Sequence, residues 1–198
     1  MNPFQSVTAV AVPLDDANVD TDQIIPARYL ALPRHSQVDA MFHDLRHDAS
    51  ARPRADFALN LPAYRDARIL VGNHNFGCGS SRESAVTVMV DNGFQVFIAP
   101  SFGDIFFSNC FQHGALPIRL PTLRVDAIRA LLHAKPGAGM TIDLHAQQVL
   151  GPDGLIDQFE IDAFRKECLL LGTDAVGLTF GYATQIADYE QRHPRVWS

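Results

Sequence analysis

The sequence predicts a mixed α/β domain, and three observations carry that expectation. Short apolar runs of strand length, such as Arg68-Ile69-Leu70-Val71-Gly72, alternate with longer stretches whose apolar residues recur at helical spacing. One of those runs feeds a loop with two glycines, Asn75-Phe76-Gly77-Cys78-Gly79-Ser80-Ser81-Arg82-Glu83, which in turn leads into a helix signal. Third, 47% hydrophobic against 19% charged residues in a chain of 198 is enough for a substantial core and too little charge for a disordered tail.

Taken in order, Val7 to Leu14 reads as a first strand. Asp15 to Asp22 is an acidic loop, closed by Gln23-Ile24-Ile25-Pro26. It lacks the central glycine and terminal glutamate of an EF-hand, so its Asp and Asn side chains are expected to bond their own backbone. Ala27 to Leu32 reads as a helical turn that stops before Pro33. His43 and His47 are four apart on an expected exposed helix, without a third metal ligand, and the irregular stretch from Arg28 to Asn60 has the length of a functional flap. Arg68 to Gly72 is a buried strand. Ser80 and Glu83 have capping-box spacing, which predicts a helix from about Ser81 to Asp91 with Gly93 at its C-terminal end. Asn92-Gly93 between β-branched residues is a competing hairpin signal. A strand through Ala99, a helix from Asp104 to His113, a strand at Leu116 to Leu120 and an amphipathic helix from Thr122 to Ala134 follow. Met140 to Leu150 is a strand candidate before the turn Gly151-Pro152-Asp153-Gly154. Helices at Ile161 to Leu171 and Tyr182 to His193 end at Gly172 and Pro194. One domain with a C-terminal helical extension, spanning 1–198, is the expected organisation.

The composition narrows function. A net charge of −6 argues against broad capture of nucleic acid. No apolar stretch reaches the roughly 18 residues of a membrane span. Met1 to Val12 has neither the basic nor the long apolar region of a signal peptide, so a cytoplasmic location is expected. Cys78, Cys110 and Cys168 lack C-x-x-C spacing and do not make a self-contained zinc or iron–sulfur site. Cys78 near a helix start is a weak nucleophile candidate, set against a small residue packed in a tight turn.

The glycine loop is the strongest chemical signal. Glycines let backbone approach a ligand closely, free N–H groups at a helix start attract anions, and an arginine grips a carboxylate through two hydrogen bonds. The loop therefore reads as a site for a small carboxylate or phosphate. A nucleotide-binding module fits poorly, because Gly77-x-Gly79 lacks a third glycine and no P-loop lysine follows.

Two segments carry a family resemblance. Asn18-Val19-Asp20-Thr21-Asp22-Gln23-Ile24-Ile25-Pro26 and Asn75 to Glu83 resemble the small subunit of 3-isopropylmalate dehydratase, in the aconitase superfamily. The likeness extends to Ala99 to Phe106, Ile161 to Arg165 and Gly177-Leu178-Thr179, and so covers nearly the whole chain. It implies a swivelling β/β/α domain like the mobile last domain of aconitase, with C-terminal helices. It also implies a heterodimer with a large subunit that carries a [4Fe–4S] cluster, none being bound by this chain alone. The implied reaction interconverts 2-isopropylmalate and 3-isopropylmalate by dehydration and rehydration, in leucine biosynthesis.

By that resemblance Ser80 is the base and Asp22 orients a histidine of the large subunit that protonates the leaving hydroxyl, while the cluster's open iron acts on that hydroxyl as a Lewis acid. Ser81 and Arg82 hold a substrate carboxylate; Thr21 is grouped with them, although with Asp20 it is expected mainly to shape the loop. Arg28, Tyr29, Leu30 and Leu32 fall in the substrate-recognition loop. The family pattern continues Ser-Arg-Glu-His-Ala, then proline and tryptophan, where this chain has Arg82-Glu83-Ser84-Ala85-Val86-Thr87. That departure motivates two alternatives: a paralogue acting on another hydroxy diacid, such as a methylmalate or a homocitrate-like acid, and a non-catalytic scaffold subunit.

Overall fold

The computed structural model describes residues 1–193. Its strands are β1 (Ser6–Pro13), β2 (Ala67–Val71), β3 (Val96–Ala99), β4 (Leu116–Arg119), β5 (Gly139–Asp143), β6 (Gln148–Leu150) and β7 (Ile156–Gln158). They form one sheet in the order β4-β3-β2-β1-β5-β6-β7. The helices are α1 (Thr21–Ile24), α2 (Arg34–Gln37), α3 (His43–Arg46), α4 (Glu83–Asp91), α5 (Asp104–Gln112), α6 (Thr122–Ala134), α7 (Ala163–Leu171), α8 (Ala175–Thr179) and α9 (Ala183–Arg192). This is the expected α/β class with C-terminal helices.

β1 to β4 run parallel, whereas β5, β6 and β7 continue the sheet antiparallel from the other edge of β1. Parallel strands need crossovers that cover both faces, which is why β2 and β3 read as continuous apolar runs. Alternate residues divide the core accordingly. Val12, Leu70 and Phe97 pack on one face with Val86 and Met89 of α4 and Phe106 of α5. Ile69, Val71, Val96 and Ile98 pack on the other with Val125, Ile128 and Leu132 of α6 and Leu169 of α7.

Several expectations change. The run Met140 to Leu150 is two antiparallel strands, because Gln147 adopts a left-handed conformation (φ 55°) and turns the chain back. β7 has no counterpart in the sequence reading: it is three residues long and its residues are mostly exposed, so it lacks an apolar pattern. The hairpin signal at Asn92-Gly93 is not realised. Gly93 (φ 94°) ends α4, with its N–H donating to Val90 O. The 28–60 stretch is built of short helical turns anchored by buried Ala40, Met41 and Phe42. The helix expected around His43 and His47 is one turn, and His47 lies beyond it. C-terminal to α7, α8 and a 3-10 turn at Phe180–Tyr182 precede α9; the expected stop at Pro194 lies outside the described residues.

Candidate active site

Three loops rise from the C-terminal ends of β1, β2 and β3, the edge where open parallel sheets place their sites. They are joined backbone to backbone. Gly77 N–H donates to Val19 O at 2.7 Å, Thr21 N–H to Cys78 O at 3.0 Å and Asn18 N–H to His74 O at 2.8 Å. On the far side Phe76 N–H donates to Ser101 O at 3.1 Å, and Gly103 N–H to Phe76 O at 2.9 Å. The glycine loop is thus the middle strand of a small irregular ribbon, bridged at Asp20–Cys78 and Phe76–Phe102.

That packing explains the glycines. Gly77 has φ 73°, and a Cβ there would sit 2.2 Å from the Phe106 ring. A Cβ on Gly103 would sit 2.4 Å from Gly77 O. The loops approach too closely for any side chain at these two positions.

The capping box inferred at Ser80 and Glu83 does not form. α4 begins at Glu83 with Arg82 at its N-cap and no side-chain cap. The loop is drawn instead onto the 20–22 segment, where buried Thr21 donates its hydroxyl to Ser80 O at 2.9 Å. Glu83 turns to His113, whose Nε2 lies 2.8 Å from its carboxylate although out of hydrogen-bond alignment. A capping box does exist one motif earlier. Asp20 Oδ1 accepts from Gln23 N–H at 2.8 Å, and Asp20 N–H donates to Gln23 Oε1 at 2.9 Å. Thr21 thereby ties the serine loop to the 20–22 segment.

Ser80 and Ser81 are exposed on the rim of this ribbon. Arg82 is half-buried and forms an ion pair with the exposed carboxylate of Asp22. That guanidinium, through its hydrogen bond, holds the Asp22 carboxyl below the usual carboxylate range. The motifs give Asp22 and Arg82 separate roles; their direct pairing is visible only once the two loops meet. Cys78 donates to Asn18 O at 3.4 Å, and burial, followed by the Asp20 charge, pushes its thiol pKa up. α4 starts five residues later, so Cys78 does not sit at a helix N-terminus where a thiolate would be stabilised.

Other residues support the loops unseen by motif. Asp15, the first residue of the acidic loop, pairs with Arg129 Nη1 at 2.8 Å and His133 Nε2 at 2.7 Å, while its carbonyl accepts from Asn73 Nδ2 at 2.7 Å. His74 Nε2 lies 3.1 Å from Thr122 Oγ1. These ties cross up to 118 positions of sequence and leave no local signal. In the 28–32 segment Arg28 is taken up by Asp44, with a 2.9 Å bond from Nη1, and lies over the Tyr29 ring. Leu30 is half-buried and Leu32 exposed. Behind the loop, Val86 and Thr87 face the core, so the missing proline and tryptophan are replaced inside the packing of α4; Ser84 is half-buried in its first turn.

Among the described residues no three His, Cys, Asp or Glu side chains converge as a metal site, and no helix is long and apolar enough to cross a membrane. Cys110 and Cys168 are buried and far in sequence from Cys78.

The fold and the ribbon at its parallel strand ends define the class. Residues 1–123 match the aconitase C-terminal domain and residues 126–163 match LeuD_N. The chain is 47% identical over 193 residues to the 3-isopropylmalate dehydratase small subunit of Parvibaculum lavamentivorans, covering 97% of this chain and 96% of that protein. It is also 47% identical over 201 residues to the same subunit from Rhodospirillum centenum, covering 100% and 99%. A crystal structure of 3-isopropylmalate dehydratase from Methanocaldococcus jannaschii superposes with a TM-score of 0.66 at 26% identity, over 92% of this chain and 99% of that one. The chain belongs to the aconitase C-terminal domain superfamily. Within it, the chain is a member of the 3-isopropylmalate dehydratase small-subunit family.

Proposed function

We propose that this chain is the small subunit of a hydro-lyase that interconverts 2-isopropylmalate and 3-isopropylmalate, and that it works in the cytoplasm with a large subunit. The observation that carries the reading is the convergence of Asp22, Ser80, Ser81 and Arg82 on one exposed rim from two loops far apart in sequence. An open rim bearing a carboxylate grip but no enclosing wall suits a site completed by a second subunit.

In this reading Ser80 acts as an alkoxide: its Oγ takes the proton from the carbon beside a substrate carboxylate and becomes the neutral hydroxyl. The C–H electron pair becomes the double bond, and the hydroxyl on the neighbouring carbon leaves as water after gaining a proton from the large subunit. Ser80 is fixed through its carbonyl by Thr21, and its hydroxyl has no hydrogen-bond partner among the described residues. Arg82, with Ser81, stabilises charge growing on the substrate carboxylate. Asp22 holds the Arg82 fork before substrate arrives. Exchange of one carboxylate for another then frees Asp22 to face the large subunit. Among the described residues no cysteine and carboxylate side chains converge to fit an iron–sulfur cluster; in this reading the large subunit carries the cluster, which would supply Lewis-acid chemistry at the leaving hydroxyl. Arg28, Tyr29, Leu30 and Leu32 line the approach and sense the substrate's side group.

The test is reconstitution with the large subunit under anaerobic conditions, following the alkene by absorbance with isopropylmalate. Turnover that survives Ser80→Ala unchanged would leave only the scaffold reading. Turnover confined to other hydroxy diacids would favour the paralogue, an outcome that the names of the relatives do not favour.

A further inference from the structure

Away from the serine loop, a cleft of about 620 Å³ opens between α5, the end of β4 and the start of α7. Its volume falls within the range of small-molecule sites, roughly 300–1,000 Å³. Two arginines, Arg119 and Arg165, line it. Arg119 lies 4.1 Å from the centroid of the Phe107 ring, and Arg165 lies 5.6 Å from the same centroid and 4.7 Å from that of Phe111. Phe107 is half-buried and Phe111 buried, so both platforms are fixed.

Neither guanidinium has a carboxylate within 4.0 Å among the described residues, a condition shared with Arg46, Arg65, Arg68 and Arg192. Arg28, Arg34, Arg124 and Arg129 each recruit an aspartate, as expected in a chain of net charge −6. Carboxylates are available here too, since Glu160 and Asp162 line the same cleft. Asp162 is spent on the N-terminus of α7, where it accepts from Arg165 N–H at 3.1 Å, and Glu160 does not close on either arginine. Two like charges on one aromatic ring repel unless an anion lies between them. An arginine fork takes a carboxylate through paired hydrogen bonds.

We propose that this cleft is a second anion site, separate from the Ser80–Arg82 rim, that binds a small free dicarboxylate. One carboxylate sits on each guanidinium, and the carbon skeleton lies against Phe111 and Ile161. The site does not depend on the catalytic reading above, because it uses none of the same side chains. Its tie to that rim is structural: Phe107 N–H donates to Gly103 O at 2.9 Å, and Gly103 is the residue packed against Gly77. Occupancy therefore bears on the loop that braces the glycine turn.

Titration of the ¹⁵N-labelled full chain with succinate, read by amide chemical shifts, tests this directly. The expected result is saturable shifts centred on residues 158–165, weakened at least 10-fold in Arg119→Gln and in Arg165→Gln and kept in Arg82→Gln. Glutamine removes the charge and the fork while keeping a polar side chain, and an unchanged amide spectrum in the absence of ligand confirms the fold. Arg119→Lys, which keeps the charge and loses the fork, is expected to weaken binding less than Arg119→Gln. Three results would overturn the proposal. Shifts centred on residues 78–82 and lost in Arg82→Gln would return the anion to the serine loop. Shifts equal for succinate and chloride would mean screening only. Absence of succinate binding, together with weaker affinity of Arg119→Gln and Arg165→Gln for the large subunit, would assign the forks to acidic side chains of that partner.

Discussion

The two halves of the sheet meet at β1 and differ in the loops they carry. On the parallel side, three loops emerge at one edge and pack backbone against backbone, with Asn18, Asn75, Gly77 and Gly79 all at positive φ. On the antiparallel side, β5, β6 and β7 are joined by short turns at Gln147 and Gly154, and the strands are clasped from outside by Arg124. The difference is geometric. Parallel strands deliver successive loops to the same edge, so chain segments far apart in sequence meet there. Antiparallel strands send successive turns to opposite edges, and each turn stays alone. Strain and exposed functional groups therefore gather on the parallel side, while the antiparallel side serves to extend the sheet.

The largest expected effect tests that division at its functional end. In a reconstituted dehydratase, Ser80→Ala should lower kcat by about 1,000-fold, or about 4 kcal/mol of barrier, without altering the melting temperature. An equal loss from His145→Ala, an exposed position of the antiparallel half, would erase the contrast. Next comes backbone strain. Gly77→Ala must tolerate φ 73° and a Cβ 2.2 Å from the Phe106 ring, and should cost about 3 kcal/mol or more by denaturant unfolding.

Arg82→Lys keeps the charge but loses the fork, and should lower kcat/KM by about 100-fold with stability little changed. On the other half, Arg124→Ala leaves Asp153 and Asp157 without their partner and should cost about 1–2 kcal/mol with activity intact. That loss has a pH signature. Arg124 holds the Asp153 carboxyl down to about 2, so the pair stabilises the fold above the ordinary carboxylate range and ceases to as pH falls toward 2. The melting temperature of Arg124→Ala should converge on that of the parent chain over this acid window. The smallest effect is Gly154→Ala. Its φ is 79°, but nothing lies within 4 Å of the added Cβ, so about 1 kcal/mol of backbone strain is expected.

Much of the parallel half is legible in the sequence because its strands are apolar throughout and its helices have clear ends. Arg68 to Gly72, Leu116 to Leu120 and Thr122 to Ala134 fall close to the observed elements for that reason. β6 and β7 were not separated or found, since strands of three residues on a solvated edge have little burial to record in their composition. The S-x-x-E spacing at Ser80 fits a cap that a tertiary contact displaces. Thr21 holds the Ser80 carbonyl, and the cap forms at Asp20 and Gln23 instead.

By itself the sequence determined the α/β class, the two motif segments and the identity of the rim residues, because apolar periodicity, glycine placement and side-chain chemistry are properties of local sequence. The tertiary structure alone decided which of those residues touch: Asp22 on Arg82, Thr21 on Ser80, Asp15 on Arg129 and His133, and two arginines on one phenylalanine. Those pairings depend on the order in which strands are laid into the sheet. Residues brought together by strand order leave no mark on the spacing of either segment alone.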